Sequence, residues 1–277
     1  MKSKNLQDLH LITLANNLPG PLALQSLMPL GIKVTKVEPP WGDPLNTHCS
    51  QWYREITSGQ AILQLNLKEQ GDKRRLEVLL EDADLLLSSF RPSALVSLGL
   101  DWTSLHGKYP HLSLVEIVGF SEDPEFPSHD LNYMARAGLL SPPTLPLSTF
   151  ADILGSAQVA TTILACLWQS GEAGTGLHRQ VSLGDAAKTF ARPLVEGPTQ
   201  KSGPLGGAHP GYGIYATQDG WIALAALEPE FIETLKTEFN LKKLSQSALA
   251  ENFASRASQD WEAWAQAKDI PLAAIPS

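Results

Sequence analysis

The most constraining feature of the sequence is a repeated alternation of short apolar runs with helix-patterned stretches. Strand-like runs fall at Leu9–Ala15, Lys33–Val37, Ala61–Leu67, Asp84–Phe90 and His111–Phe120. Helical patterns lie between them: Gly20–Pro21 opens one through Leu22, Leu24, Leu27 and Met28, Lys68–Glu81 is amphipathic, and Ala94–Leu105 follows Pro92. Alternation of this kind predicts an α/β fold, a Rossmann-like parallel sheet with helices on both faces. Beyond it, Asp130–Leu140 reads as a helix, and a proline-rich loop (Pro142, Pro143, Pro146) leads to Asp152 and a long helix reaching Gln169. His178–Ser182 reads as a strand and Gly184–Ala191 as a helix.

Composition changes near Arg192. The stretch Pro193–Gly213 is dense in Gly and Pro and reads as a linker and mobile loop, with the Gly206–Gly207 to Gly213 part open to an anion-cradling role. Asp219–Gly220 then sits between two strand-like runs as a hairpin turn, ahead of three helical patterns, Pro229–Phe239, Ser245–Arg256 and Gln259–Lys268. The expected division is a large domain over residues 1–200 and a smaller α+β domain over 201–277.

Charge and cysteines exclude several functions. The formal net charge of -8 opposes generic nucleic-acid binding, which needs clustered Lys and Arg. Any site for a polyanion must be built locally against that field. Cys49 and Cys166 lie far apart and outside any CxxC pair, so neither a disulfide framework nor a structural zinc site is expected. Met1–Gln7 has no long apolar run behind it, so no leader peptide is expected. Ile153–Trp168 is read as too short and too polar for a bilayer span. The cytosol is the default compartment.

Three positions combine acid–base chemistry with a helix start. In Ser128–Tyr133 the plain reading is a helix opening with Asp130 as N-cap and His129 at the surface. The functional reading makes His129 a proton-transfer base in a cleft beyond a strand end. Asp152, flanked by Ala151 and Ile153, reads either as an N-cap carboxylate or as a base or nucleophile whose proton affinity is raised by apolar surroundings. Glu228, just before Pro229, reads as a helix-mouth carboxylate or as a partner that orients His129.

Taken in order, Leu18–Ala23, Lys36–Pro44, Leu65–Lys68, Phe90–Pro92 with Leu98–Leu100, Val118–Phe120, His129–Tyr133, Ala151–Asp152, Val181–Leu183 with Asp185–Ala187, Tyr215–Thr217 with Asp219–Gly220, and Leu227–Pro229 resemble the family III coenzyme A transferases of the CaiB/BaiF type. That family also includes α-methylacyl-CoA racemase, to which the motifs are closest. The resemblance covers nearly the whole chain. It implies a Rossmann-like large domain, a smaller domain and an interlocked homodimer. It implies an acyl-CoA substrate, with coenzyme A as part of that substrate and no covalently bound cofactor, metal, nucleic acid or membrane. Asp152 matches the family's catalytic aspartate, His129 the racemase histidine, and Glu228 the glutamate that supports it. Coenzyme A contacts are expected at Lys36, Phe90, Arg91, Asp130 and Tyr133, and Lys68 remains as a further cation.

The chain departs from the family at cationic positions: Pro39, Ser97 and Thr57–Gln60 stand where relatives carry Arg or Lys. Its last residues, Ile270–Ile275, match the small domain's late strand, after which the family returns to the large domain. Three functions follow from the resemblance: racemase or epimerase chemistry at the carbon α to a thioester, coenzyme A transfer through an Asp152 anhydride, and a degenerate acyl-CoA binder without turnover.

Overall fold

The structure, a computed structural model, describes residues 5–276. Met1–Lys4, part of the segment read for a leader, lie outside the described residues. The apolar runs form the strands of the first unit: β1 (His10–Thr13), β2 (Lys33–Glu38), β3 (Ala61–Gln64), β4 (Leu85–Ser88), β5 (Ser113–Val118) and β6 (His178–Ser182). They make one parallel sheet in the order β3-β2-β1-β4-β5-β6. β1 and β4 lie side by side at its centre, where the strand order reverses.

The intervening segments form α1 (Pro19–Leu27), α2 (Pro44–His48), α3 (Ser50–Ile56), α4 (Gln70–Glu81), α5 (Pro92–Leu98), α6 (Trp102–Lys108), α7 (Asp130–Arg136), α8 (Phe150–Ala173) and α9 (Leu183–Phe190). Successive strand residues point to opposite faces, and each face has its own core. Leu11, Leu85, Leu87, Val115 and Ile117 pack with α1, α7, α8 and α9. Ile12, Leu86 and Leu114 pack with α4, α5 and α6. Burial on both sides explains why β4 reads as an unbroken Leu85–Leu86–Leu87 run rather than an alternating one.

Two expectations change. The helix expected over Ala94–Leu105 is two helices, because Gly99 at φ 69° ends α5 and Asp101 caps α6 through the Ser104 N–H. α8 is 24 residues long and contains an 18-residue window of mean hydropathy 1.5, long and apolar enough by length and composition to cross a membrane. The reading of Ile153–Trp168 as too short and polar is corrected on that point. Its Val159, Ile163 and Cys166 are nevertheless buried in the sheet core, as befits the central helix of an α/β layer.

A second compact unit runs from Arg192 to the end; the first ends at Ala191, ahead of the boundary expected at residue 200. After α10 (Arg192–Val195), β7 (Tyr212–Ala216), β8 (Trp221–Ala225) and β9 (Leu272–Ala274) form an antiparallel sheet with β8 in the middle. The β7–β8 hairpin turns through Asp219–Gly220. α11 (Pro229–Glu238), α12 (Gln246–Phe253) and α13 (Ser258–Ala267) cover it around Trp261, Phe253 and Leu235. The glycine-rich stretch before β7 is knit by backbone hydrogen bonds, such as Leu205 N–H to Pro198 O at 2.9 Å and Gly203 N–H to Gln200 O at 2.7 Å.

Candidate active site

In an open α/β sheet the loops leaving the carboxyl ends of the strands diverge at the reversal of strand order and leave a crevice there. Here that crevice is a cavity of about 320 Å³. Its walls come from the loops after β1 (Asn16, Asn17), β4 (Ser89, Phe90, Arg91) and β5 (Gly119, Pro124, Phe126–His129), with Asn132 and Tyr133 of α7, Asp152 of α8 and Leu183 of α9.

The structure brings His129 and Asp152 to this one cavity. His129 is the N-cap of α7, with extended backbone (φ -137°, ψ 177°), and is exposed. Its N–H donates to Asn132 Oδ1 at 3.0 Å, which fixes the helix start. Asp130, expected as the N-cap, is the first helical residue instead. It is buried behind the cavity wall, where its Oδ1 accepts the Asp152 N–H at 3.0 Å. Asp130 therefore ties the start of α7 to the start of α8. It is not among the residues that line the cavity.

Asp152 is likewise not an N-cap: Thr149 is, and Asp152 lies in the first turn of α8, half-buried. Burial, and then the nearby Asp130 carboxylate, push its carboxyl up to about 7. Both causes disfavour the charged form. Tyr133 donates its O–H to Ser128 O and accepts from Ser128 Oγ, both at 3.2 Å. Its phenol is pushed up, first by burial.

Phe90 and Arg91 line the cavity as expected. Arg91 is exposed at the N-cap of α5, and no carboxylate among the described residues pairs with it. The loop after β5 is clipped over the cavity at two points. Glu125 accepts from Ser93 N–H at 2.7 Å and from Ser93 Oγ at 2.9 Å. The Arg136 guanidinium lies 4.1 Å from the Phe120 ring centroid and 4.3 Å from that of Phe126, a cation–π sandwich.

Lys36 departs from its expected role. It is fully buried, and its ammonium donates to Glu38 Oε1 and Asp43 Oδ2 at 2.8 Å and to Asn16 Oδ1 at 3.2 Å. An ammonium has three N–H donors; all are committed inside the protein, and none is left for a phosphate. Glu228 belongs to the second unit, where it is the exposed N-cap of α11 with Pro229 as the first helical residue.

The sequence reading did not single out Asn16, Asn17 or Ser89. Their signal was position: each lies within four residues of a strand's carboxyl end.

The sequence model of CoA-transferase family III matches residues 6–276. The chain belongs to CoA-transferase family III. Human alpha-methylacyl-CoA racemase is 29% identical over 257 residues, which cover 86% of this chain and 65% of that protein. Acetyl-CoA:oxalate CoA-transferase of Acetobacter aceti is 28% identical over 197 residues, 65% of this chain and 51% of that enzyme. The chain thus spans less than two thirds of the length of these curated relatives. Among solved structures, a CaiB/BaiF family protein from Brucella suis superposes with a TM-score of 0.81 at 22% identity, over all of this chain and 85% of that one. A hypothetical protein from Mycobacterium tuberculosis gives 0.85 at 21% identity, over 97% and 83%. These likenesses establish the shared fold. The relatives of this chain include both a racemase and CoA-transferases.

Proposed function

We propose that this family III protein moves the proton α to the carbonyl of an acyl-CoA thioester, with a 2-methylacyl-CoA as the substrate class, in the manner of a racemase or epimerase. The observation that carries the reading is that an imidazole and a carboxyl line one cavity at the strand-order reversal, each at the start of a different helix. Inversion at a carbon needs one group to take the proton from one face and another to return a proton to the opposite face. His129 and Asp152 are the pair assigned to those roles. A carboxyl held near 7 is split between acid and base at neutral pH, which suits a group that must act in both directions. The N–H groups of Asp130 and Leu131, the first two residues of α7, have no helical acceptors, so they are assigned to stabilise the enolate oxygen. Arg91 offers a cation to the phosphates of coenzyme A against the chain's net negative charge. A homodimer belongs to the same reading, supported by the exposed apolar side chains of Leu145, Leu147 and Phe190.

The test is incubation of a single enantiomer of a 2-methylacyl-CoA in D₂O with no added carboxylic acid. Deuterium appearing at the α carbon, and lost in Asp152→Asn, is the expected result. Product that forms only with an added carboxylate acceptor would replace this reading with CoA transfer through an Asp152 anhydride. Binding without either reaction would make the chain an acyl-CoA binder.

A further inference from the structure

Lys36 lies outside the chemistry just described, yet its side chain is fully buried and one of its three partners reaches the cavity. Its ammonium, Glu38, Asp43 and Tyr53 form a closed cluster beneath the cavity wall: Tyr53 donates its O–H to Glu38 Oε1 at 2.6 Å, and Lys36 bridges Glu38 and Asp43. The cluster grips the turn between β1 and α1 from two sides. Asp43 Oδ1 accepts the N–H of Asn17, whose backbone is left-handed at φ 62°. Lys36 donates to the side-chain oxygen of Asn16. Both asparagines line the cavity.

A carboxamide can usually turn over at little expense, presenting its oxygen or its NH₂ to a given side. At Asn16 it cannot. An ammonium has only donors, so the side facing Lys36 must be the oxygen. The reversed orientation would set donor against donor and strip one N–H of a buried cation of its acceptor, which is strongly disfavoured. The NH₂ group is therefore held on the other side, and no acceptor among the described residues engages it.

We propose that Asn16 is a fixed hydrogen-bond donor in the cavity, oriented by Lys36, and that it takes a carbonyl oxygen of the bound thioester. Lys36 is then a positioning residue, acting through Asn16 rather than on phosphate. The proposal rests on the CoA-thioester reading above and deepens it. Two kinds of carbonyl fit this chemistry: that of the thioester and those of the pantetheine amides.

Calorimetric titration with acetyl-CoA and with S-ethyl-CoA, a thioether of the same charge that lacks the thioester carbonyl, distinguishes them. Asn16→Ala is expected to weaken acetyl-CoA binding about tenfold, the worth of one hydrogen bond. Asn16→Asp keeps an oxygen for Lys36, so the cluster and the fold persist, but it turns an acceptor into the cavity. It is expected to weaken binding at least as much, and it stands alone if the Ala variant fails to fold. Loss confined to acetyl-CoA assigns the thioester carbonyl; equal loss with both ligands assigns a pantetheine amide. Lys36→Met, where it folds, should reproduce the same ligand pattern, which general loosening of the protein would not. Wild-type protein that binds both ligands while the Asn16 variants stay within twofold of it would overturn the proposal, as would loss confined to the thioether. Wild-type protein that binds neither ligand would instead refute the CoA-thioester reading, and this inference with it.

Discussion

Asp152 sits where two effects act on one proton. Its carboxyl is half-buried in the cavity wall, and a second carboxylate, Asp130, holds its backbone N–H. The folded chain keeps the proton to about 7, against 3.8 for a free aspartate. Below the lower value both folded and unfolded chains are protonated, and the group contributes nothing. Between the two values the unfolded chain releases its proton and the folded chain does not, so stability falls as pH rises; the full penalty stands above 7. Its ceiling is roughly 4 kcal/mol, from 1.36 kcal/mol per tenfold in proton affinity. Asn in place of Asp152 removes the charge while keeping the shape. The variant should be more stable than wild type at pH 8, by about 2 kcal/mol given partial access to water, with the gain fading towards pH 4. Urea melts across that range would show it. A gain that did not depend on pH would mean the carboxyl titrates normally. This sensitivity was only half legible in the sequence. Apolar neighbours Ala151 and Ile153 foretold a raised proton affinity. That Asp130 would be the second cause depended on two helix starts meeting 22 residues apart in sequence.

At the scale of elements, helix starts and strand junctions set what the cavity contains. The strand periodicity and the Asp219–Gly220 hairpin were legible because they are local. The exact helix starts were not: His129 and Thr149, rather than Asp130 and Asp152, are the N-caps. Both aspartates have the capping chemistry, but each is drawn one or more positions into its helix. There Asp130 is bound to the Asp152 N–H and Asp152 faces the cavity. β6 shows a tighter constraint. It is joined to α8 through Gly174–Leu177, and at Gly176 a side-chain Cβ would stand 2.0 Å from Leu112 O and 3.1 Å from Ser113 N. The obstruction is backbone at the start of β5, so it cannot rotate away. Gly176→Ala should destabilise the first unit by roughly 1–3 kcal/mol, with the upper end favoured for that reason. A denaturant midpoint unchanged from wild type would show that the β5–β6 junction is slacker than described.

For the whole molecule, sequence alternation was enough for an α/β fold but not for the strand order. The same pattern suits any right-handed series of crossovers. The reversal that sets β4 beside β1 rests on long-range packing of both leucine faces. That reversal also decides which loops meet, so Asn16 comes to Ser89 and Arg91 although it lies 73 positions before Ser89 in sequence. Lys36 illustrates the limit from the other direction. Its motif was legible and its charge suggested a phosphate contact, whereas folding places it beneath the wall with every donor spent. This enclosure gives the chain an internal clock. Acylating reagents that label amines through solvent should modify the surface lysines quickly and spare Lys36 until the first unit opens as a whole. The mass-spectrometric rate at Lys36 would then time global opening, with no dye or engineered tag.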